Sequence, residues 1–212
     1  MNYFLSFLVL FFSFINISSA ATFNEIGDAG ELMSTAQDTT GIGSLNEIKG
    51  SFINLDNSDP DFPVSDIDAY KINITNTSLF SVSMTANFVD EFGDDDSDPY
   101  LWLFDSAGNL VFDNDDTSGS NFLPSIVAGD LALFDSGVYY LAVSMWEANP
   151  LNYYNLAVSN LEEGWERNGF LGVGEYELSL TDPEISEVPI PAALWLFSAG
   201  LMTLIGARKK VA

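Results

Sequence analysis

The sequence predicts an all-β protein, a two-sheet, jelly-roll-like β-sandwich flanked by an N-terminal signal peptide and a C-terminal transmembrane helix. The first observation behind this is a hydrophobic period of two. Tyr70, Ile72 and Ile74 alternate with Lys71, Asn73 and Thr75, and Val82, Met84, Ala86 and Phe88 with Ser81, Ser83, Thr85 and Asn87. Tyr176, Leu178 and Leu180 alternate in the same way with Glu175, Glu177 and Ser179. Successive side chains of a strand point to opposite faces, so each run has one side for a core and one for water. The second observation is a pair of runs apolar throughout, Tyr100 to Phe104 and Tyr139 to Val143, expected at sheet centres. The third is the turn chemistry between strands: Ser106-Ala107-Gly108-Asn109, Asp135-Ser136-Gly137 and Gly172-Val173-Gly174. No helical stripe competes, beyond one short turn over Ala29 to Gln37. Many short strands punctuated this way argue for a sandwich.

The chain begins with a segment of a different kind. Phe4 to Ile15 is apolar except for Ser6 and Ser13, and it gives way to Ser18-Ser19-Ala20-Ala21. Residues 1–20 therefore read as a secretory signal peptide, cut by signal peptidase at Ala20 or Ala21. An uncleaved anchor is the alternative, but the apolar run is short for a membrane span. Residues 21–47 form a lead-in, and residues 48–182 the sandwich.

Charge and composition narrow the chemistry. All 31 acidic residues lie between Glu25 and Glu187, with only Lys49, Lys71 and Arg167 to offset them. Such a surface repels phosphate backbones, which excludes nucleic acid as a partner and leaves divalent cations open. High solubility outside the cell is the simpler reading of the same charge. The chain has no Cys and no His. Disulfides, His-dependent nucleophile systems and His/Cys zinc sites are all excluded.

Clustered carboxylates raise the question of calcium, which takes six to eight oxygen ligands. Asp90 to Asp98 holds six carboxylates, but consecutive like charges read as a solvated loop. Neither this run nor Asp113 to Asp116 is an EF-hand, because Pro99 and Pro124 fall where that loop needs Gly and Glu. Asp66, Asp68, Asp105, Asp115 and Asp116 are the better candidates, since they flank expected strand ends where a sandwich brings loops together.

The C-terminal segment, residues 188–212, carries a third kind of signal. Val188 to Ala207 is uncharged and largely apolar, and Arg208, Lys209 and Lys210 follow at once. A helix over about residues 192–207, entered through Pro189 and Pro191, matches a bilayer core in length. The basic tail at 208–210 would stay cytoplasmic and leave the acidic domain outside. Val188-Pro189-Ile190-Pro191, the hydrophobic stretch containing Gly200, and Ala207-Arg208-Lys209-Lys210 together resemble the PEP-CTERM sorting signal, with Ile190 where the naming motif has Glu. The resemblance implies cleavage near Pro189 to Pro191 by a membrane-embedded exosortase, in a Gram-negative bacterium that makes exopolysaccharide. A permanent C-terminal anchor is the alternative.

The central residues carry a second resemblance. Asp66-Ile67-Asp68-Ala69-Tyr70, the run Pro99 to Leu110 followed by Asp113-Asn114-Asp115-Asp116, Ser136 to Val143, and Gly174 to Leu178 stand in an order similar to the bacterial pre-peptidase C-terminal (PPC) domain family. That resemblance implies a jelly-roll accessory module rather than a catalytic one, with Asp90 to Asp98 and Glu147 to Phe170 as insertions. The expected function is thus a non-enzymatic surface or matrix protein associated with extracellular polysaccharide or biofilm. A carbohydrate- or protein-binding module is the alternative, with Trp146, Tyr153, Tyr154 and Trp165 as candidate contacts or as ordinary packing. A glycoside hydrolase using two carboxylates is the remote third, since no motif singles out a pair.

Overall fold

A computed structural model describes residues 20–53, 66–89, 98–146, 148–151, 160–167 and 172–182. The expected signal peptide up to Ser19, the core of the acidic run, Tyr153, Tyr154 and the sorting segment from Val188 onward lie outside them. Twelve strands are described: β1 Ala20–Asn24, β2 Gln37–Asp38, β3 Ser44–Phe52, β4 Ile67–Ile74, β5 Ser81–Val89, β6 Pro99–Phe104, β7 Leu110–Asn114, β8 Ser125–Ile126, β9 Gly137–Met145, β10 Ala148–Pro150, β11 Trp165–Arg167 and β12 Val173–Thr181. The protein is all-β among these residues, apart from a single 3-10 turn at Leu161–Glu163. No helix among them is long and apolar enough to cross a membrane.

Two five-stranded mixed sheets pack as a sandwich. One has the order β1-β3-β12-β5-β8 and the other β2-β4-β9-β6-β7. The lead-in is part of both, because β1 pairs in parallel with β3 and β2 in parallel with β4. The remaining pairings are antiparallel. The registers make β1, β3, β5, β7 and β9 run toward one end, here the cap, and β2, β4, β6, β8 and β12 toward the other, the base.

The period of two does what the sequence predicts. Tyr70, Ile72 and Ile74 of β4 meet Val82, Met84 and Phe88 of β5 and Tyr176, Leu178 and Leu180 of β12 in one buried cluster. Phe52 stacks on Phe88 with ring centroids 5.1 Å apart, and Tyr176 closes the group at 5.3 Å from Phe52. Burial of this apolar surface is the main drive for the two sheets to associate.

The continuously apolar strands are buried on both faces. Leu101 and Leu103 of β6, with Leu141 and Val143 of β9, face the central core. Their neighbours Tyr100, Trp102, Phe104, Tyr140 and Ala142 form a second cluster on the outer face of the sheet. Met33 and Ala36 from the lead-in, with Leu161 and Trp165, roof that cluster. Trp165 donates to the Glu31 carbonyl at 2.8 Å and lies edge-on to Trp102. The described parts of the Glu147 to Phe170 insertion therefore finish the interior of β6 and β9, a task that periodicity cannot show.

Candidate cation site

The segment from Glu25 to Gly30 crosses at the cap from the β1 sheet to the β2 sheet. Its shape comes from its own polar groups. Glu25 accepts hydrogen bonds from the Ala29 and Ser51 backbone N–H groups, at 3.0 and 2.7 Å. Asp28 accepts from Gly30 N at 2.7 Å, the local bond expected of an Asx turn. Gly30 has φ +68°, and a Cβ there would stand 2.7 Å from the Thr35 side chain. Gly30 in turn anchors the crossing to β4 by accepting from Ala69 N at 2.8 Å.

This places Asp28 over the start of β4. There Asp66 accepts from Ile53 N at 2.7 Å and from Ile67 N at 3.0 Å. The register that turns Tyr70 and Ile72 inward also turns Asp68 inward, between the two sheets. One ligand oxygen each from Asp28, Asp66 and Asp68 lie within 4.8 Å of one another, so the three can hold a metal ion. Asp66 and Asp68 are buried and Asp28 is exposed, which gives the site an open side.

Asp68 is the unusual member. It has no solvent exposure. Its Oδ2 accepts from the Tyr176 hydroxyl at 2.7 Å, and the Tyr70 hydroxyl lies 2.7 Å from that of Tyr176. Its Oδ1 is buried with no hydrogen-bond partner. Gly50 sits opposite Tyr176 in the pairing of β3 with β12. A Cβ there would stand 2.6 Å from the Tyr70 hydroxyl and collide with the Tyr176 ring, so glycine is what leaves room for the tyrosine pair.

The electrostatics follow from burial and crowding. Burial, then the charges of Glu25 and Asp66, push Asp68 up to about 9. Asp66 is raised to about 6, chiefly by burial and also by Asp28, against two backbone hydrogen bonds that lower it. Glu25 is raised too, again mainly by burial. Burial also holds both tyrosine hydroxyls well above their ordinary range. Lys49 is paired with Glu47 and Glu177, and Lys71 with Asp38, and among the described residues no ion pair reaches these carboxylates. The cluster must hold protons or bind a cation.

The five sequence candidates do not form one site. Asp66 and Asp68 come together, and they are joined by Asp28 rather than by the others. Asp105 is at the base, where it accepts from Ala107 N, Asn109 N and the Asn109 amide in the β6–β7 turn. Burial raises it, but those hydrogen bonds outweigh burial and its pKa is lowered. Asp115 and Asp116 follow β7 at the cap, three strand spacings from β4 across β9 and β6, or about 14 Å. Asp28 escaped the sequence reading because nearly forty residues separate it from its partners. The available signal was Asp28 between Gly27 and Gly30, two glycines at positive φ that let the chain fold back on itself.

Of the candidate aromatic contacts, Trp165 is packed against Trp102 and Phe104. Trp146 is part-exposed at the cap. Tyr153 and Tyr154 lie outside the described residues, so only these two of the four are placed. No protein-family model, no curated protein and no solved structure matches the chain.

Proposed function

We propose that this chain is an exported, non-catalytic surface or matrix protein, built on a jelly-roll-like module whose cap is fastened by calcium. The observation that carries the molecular part is buried Asp68, its Oδ1 unpartnered beside Asp28 and Asp66. Calcium suits a donor set of oxygens alone, and a chain without His or Cys offers no imidazole or thiolate ligand. A bound ion would tie the 25–30 crossing to β4 and so clamp the two sheets at one end. Its role is structural, and association with extracellular polysaccharide is the setting.

Export rests on the sequence signals at Ala20 and Ala21 and at Val188, Pro189, Ile190 and Pro191, with Arg208, Lys209 and Lys210 as the retained topology anchor. Signal peptidase and an exosortase are the implied partners. Two measurements test this reading. Thermal melting in calcium against chelator should show a rise of about 5–10 °C at a concentration a hundredfold above Kd. No shift in melting temperature would remove the calcium part. Intact-mass analysis of the mature surface form should find the chain ending near Pro191, and Lys210 still attached would remove the sorting part.

A further inference from the structure

We propose that the ion at the cap also holds an external ligand, a neutral sugar bound through two adjacent hydroxyl groups at the open side of the Asp28, Asp66 and Asp68 site. This rests on the calcium reading of that site and adds a ligand to its fastening role.

The first support is the supply of donor oxygens. Calcium takes about six to eight. Among the described residues the site brings together three aspartates, with one ligand oxygen each. Their other electron pairs are largely engaged. Asp66 accepts a backbone N–H on each of its oxygens, from Ile53 at 2.7 Å and from Ile67 at 3.0 Å. Asp68 gives its Oδ2 to the Tyr176 hydroxyl, and Asp28 gives its Oδ1 to Gly30 N. Aspartates held in this way ligate through one oxygen in preference to two. Roughly half of the coordination shell is then left to oxygens from outside the three.

The second support is where an external oxygen can enter and what it meets. Asp66 and Asp68 are buried and form the back of the site, whereas Asp28 is exposed and forms its open side. Two exposed apolar side chains adjoin the three carboxylates. Ile26, two residues before Asp28, is 79% exposed, and Ile53, whose N–H is accepted by Asp66, is 44% exposed. One exposed isoleucine is ordinary on a protein surface. Two beside a single ion site offer an apolar flank to a ligand that has both hydroxyl oxygens and a C–H face, as a sugar ring does.

Charge narrows the ligand further. Glu25 stands close enough for its charge to act on Asp68. The three aspartates and Glu25 together outweigh the charge of a divalent ion, so the occupied site stays negative. Phosphate, sulfate and uronate oxygens are repelled from it. An ammonium group would compete with the ion for the carboxylates instead of ligating it. Neutral oxygens remain, from water or from hydroxyl groups. Two adjacent hydroxyls on one sugar have an advantage over two waters, because the second oxygen binds intramolecularly and ordered water is released.

The test uses the purified full chain and two probes, calcium alone and galactomannan, a neutral polymer rich in adjacent cis hydroxyls. Calcium binding is read by titration calorimetry, and sugar binding by retention on immobilised galactomannan in calcium or in chelator. The expected result is retention about tenfold or more stronger in calcium than in chelator. Ile26→Ser should bind calcium as the wild type does and lose most of that retention. Calcium binding without retention overturns the proposal and leaves the calcium reading standing. Residues 54–65, which join Ile53 to Asp66, lie outside the described residues, and a shell completed from within the chain would give this outcome. No heat of calcium binding overturns both readings. Retention that survives chelator, or that Ile26→Ser leaves unchanged, places the sugar elsewhere and overturns the proposal. Stronger calcium-dependent retention on dextran sulfate than on galactomannan overturns it in favour of an anionic ligand.

Discussion

Replacing Asp68 with Asn is expected to make the metal-free protein more stable at pH 8–9 and to abolish its response to calcium. The substitution keeps the size of the side chain and can keep the contact with Tyr176, but it removes an ionisable group that has no solvent exposure. In the folded wild type Asp68 is raised to about 9 from 3.8, and Asp66 to about 6 from the same value. A carboxyl whose folded pKa is raised binds its proton more tightly in the native state than in the unfolded one. Its stabilising contribution is complete below the unfolded pKa and is lost as pH rises through the folded one. For Asp66 that window is from about pH 4 to about pH 6, and for Asp68 from about pH 4 to about pH 9. Metal-free wild-type protein should therefore lose stability steadily from pH 5 to pH 9.

Asp68→Asn should flatten that slope by on the order of 3 kcal/mol across the range. Calcium should act in the opposite sense. It binds ionised carboxylates, so its stabilisation of the wild type should grow over the same pH range. Denaturant unfolding at pH 5, 7 and 9, with calcium and with chelator, measures all of these quantities. Parallel pH profiles for wild type and Asp68→Asn would show that Asp68 is not the group under strain. The general repulsion of so acidic a surface also eases at low pH, but it is common to both proteins and cancels in the comparison.

Trp102→Ala is the second large effect, expected to cost about 4 kcal/mol. Trp102 has no solvent exposure, stacks on Tyr100 at 4.1 Å and meets Trp165 edge-on at 5.8 Å. Its indole N–H donates to Ser144 Oγ at 2.9 Å, and Ser144 donates onward to the Ala148 carbonyl at 3.0 Å. Truncation would open a cavity beneath the roof formed by the lead-in and the Leu161 and Trp165 segment. It would also loosen the roof, because Trp165 then loses one of the two rings it packs against. Trp165→Ala, at the partly buried edge of the same cluster, should cost clearly less. Urea denaturation of the two variants orders them. A Trp102→Ala loss below about 1 kcal/mol would mean that the outer face of this sheet is not a packed interior.

Much of this architecture is legible without coordinates, for a local reason. Side-chain direction along a strand depends only on position parity, so Tyr70, Ile72 and Ile74, or Tyr176, Leu178 and Leu180, declare their buried face in the sequence itself. The same parity puts Asp68 on the inner face of β4, with Asp66 just before the strand, a consequence visible once Tyr70 is placed inside. The all-apolar runs at Tyr100 to Phe104 and Tyr139 to Val143 likewise announce strands covered on both sides.

What covers them is a different kind of question. Trp165 and Met33 reach Trp102's sheet from segments more than a hundred residues apart, and no periodicity links them. The site follows the same division. Asp66, immediately before β4, and Asp68 within it stand two residues apart, and their spacing already pairs them. Asp28 joins them because β1 and β2 lie in different sheets and the chain must cross between them over the start of β4. Asp105 looked equivalent in the sequence, yet strand direction carries it to the opposite end. Local alternation therefore determined which side chains are inside, whereas strand order and direction decided which carboxylates meet. Proximity across sheets is a property of the assembled fold, and of no segment alone.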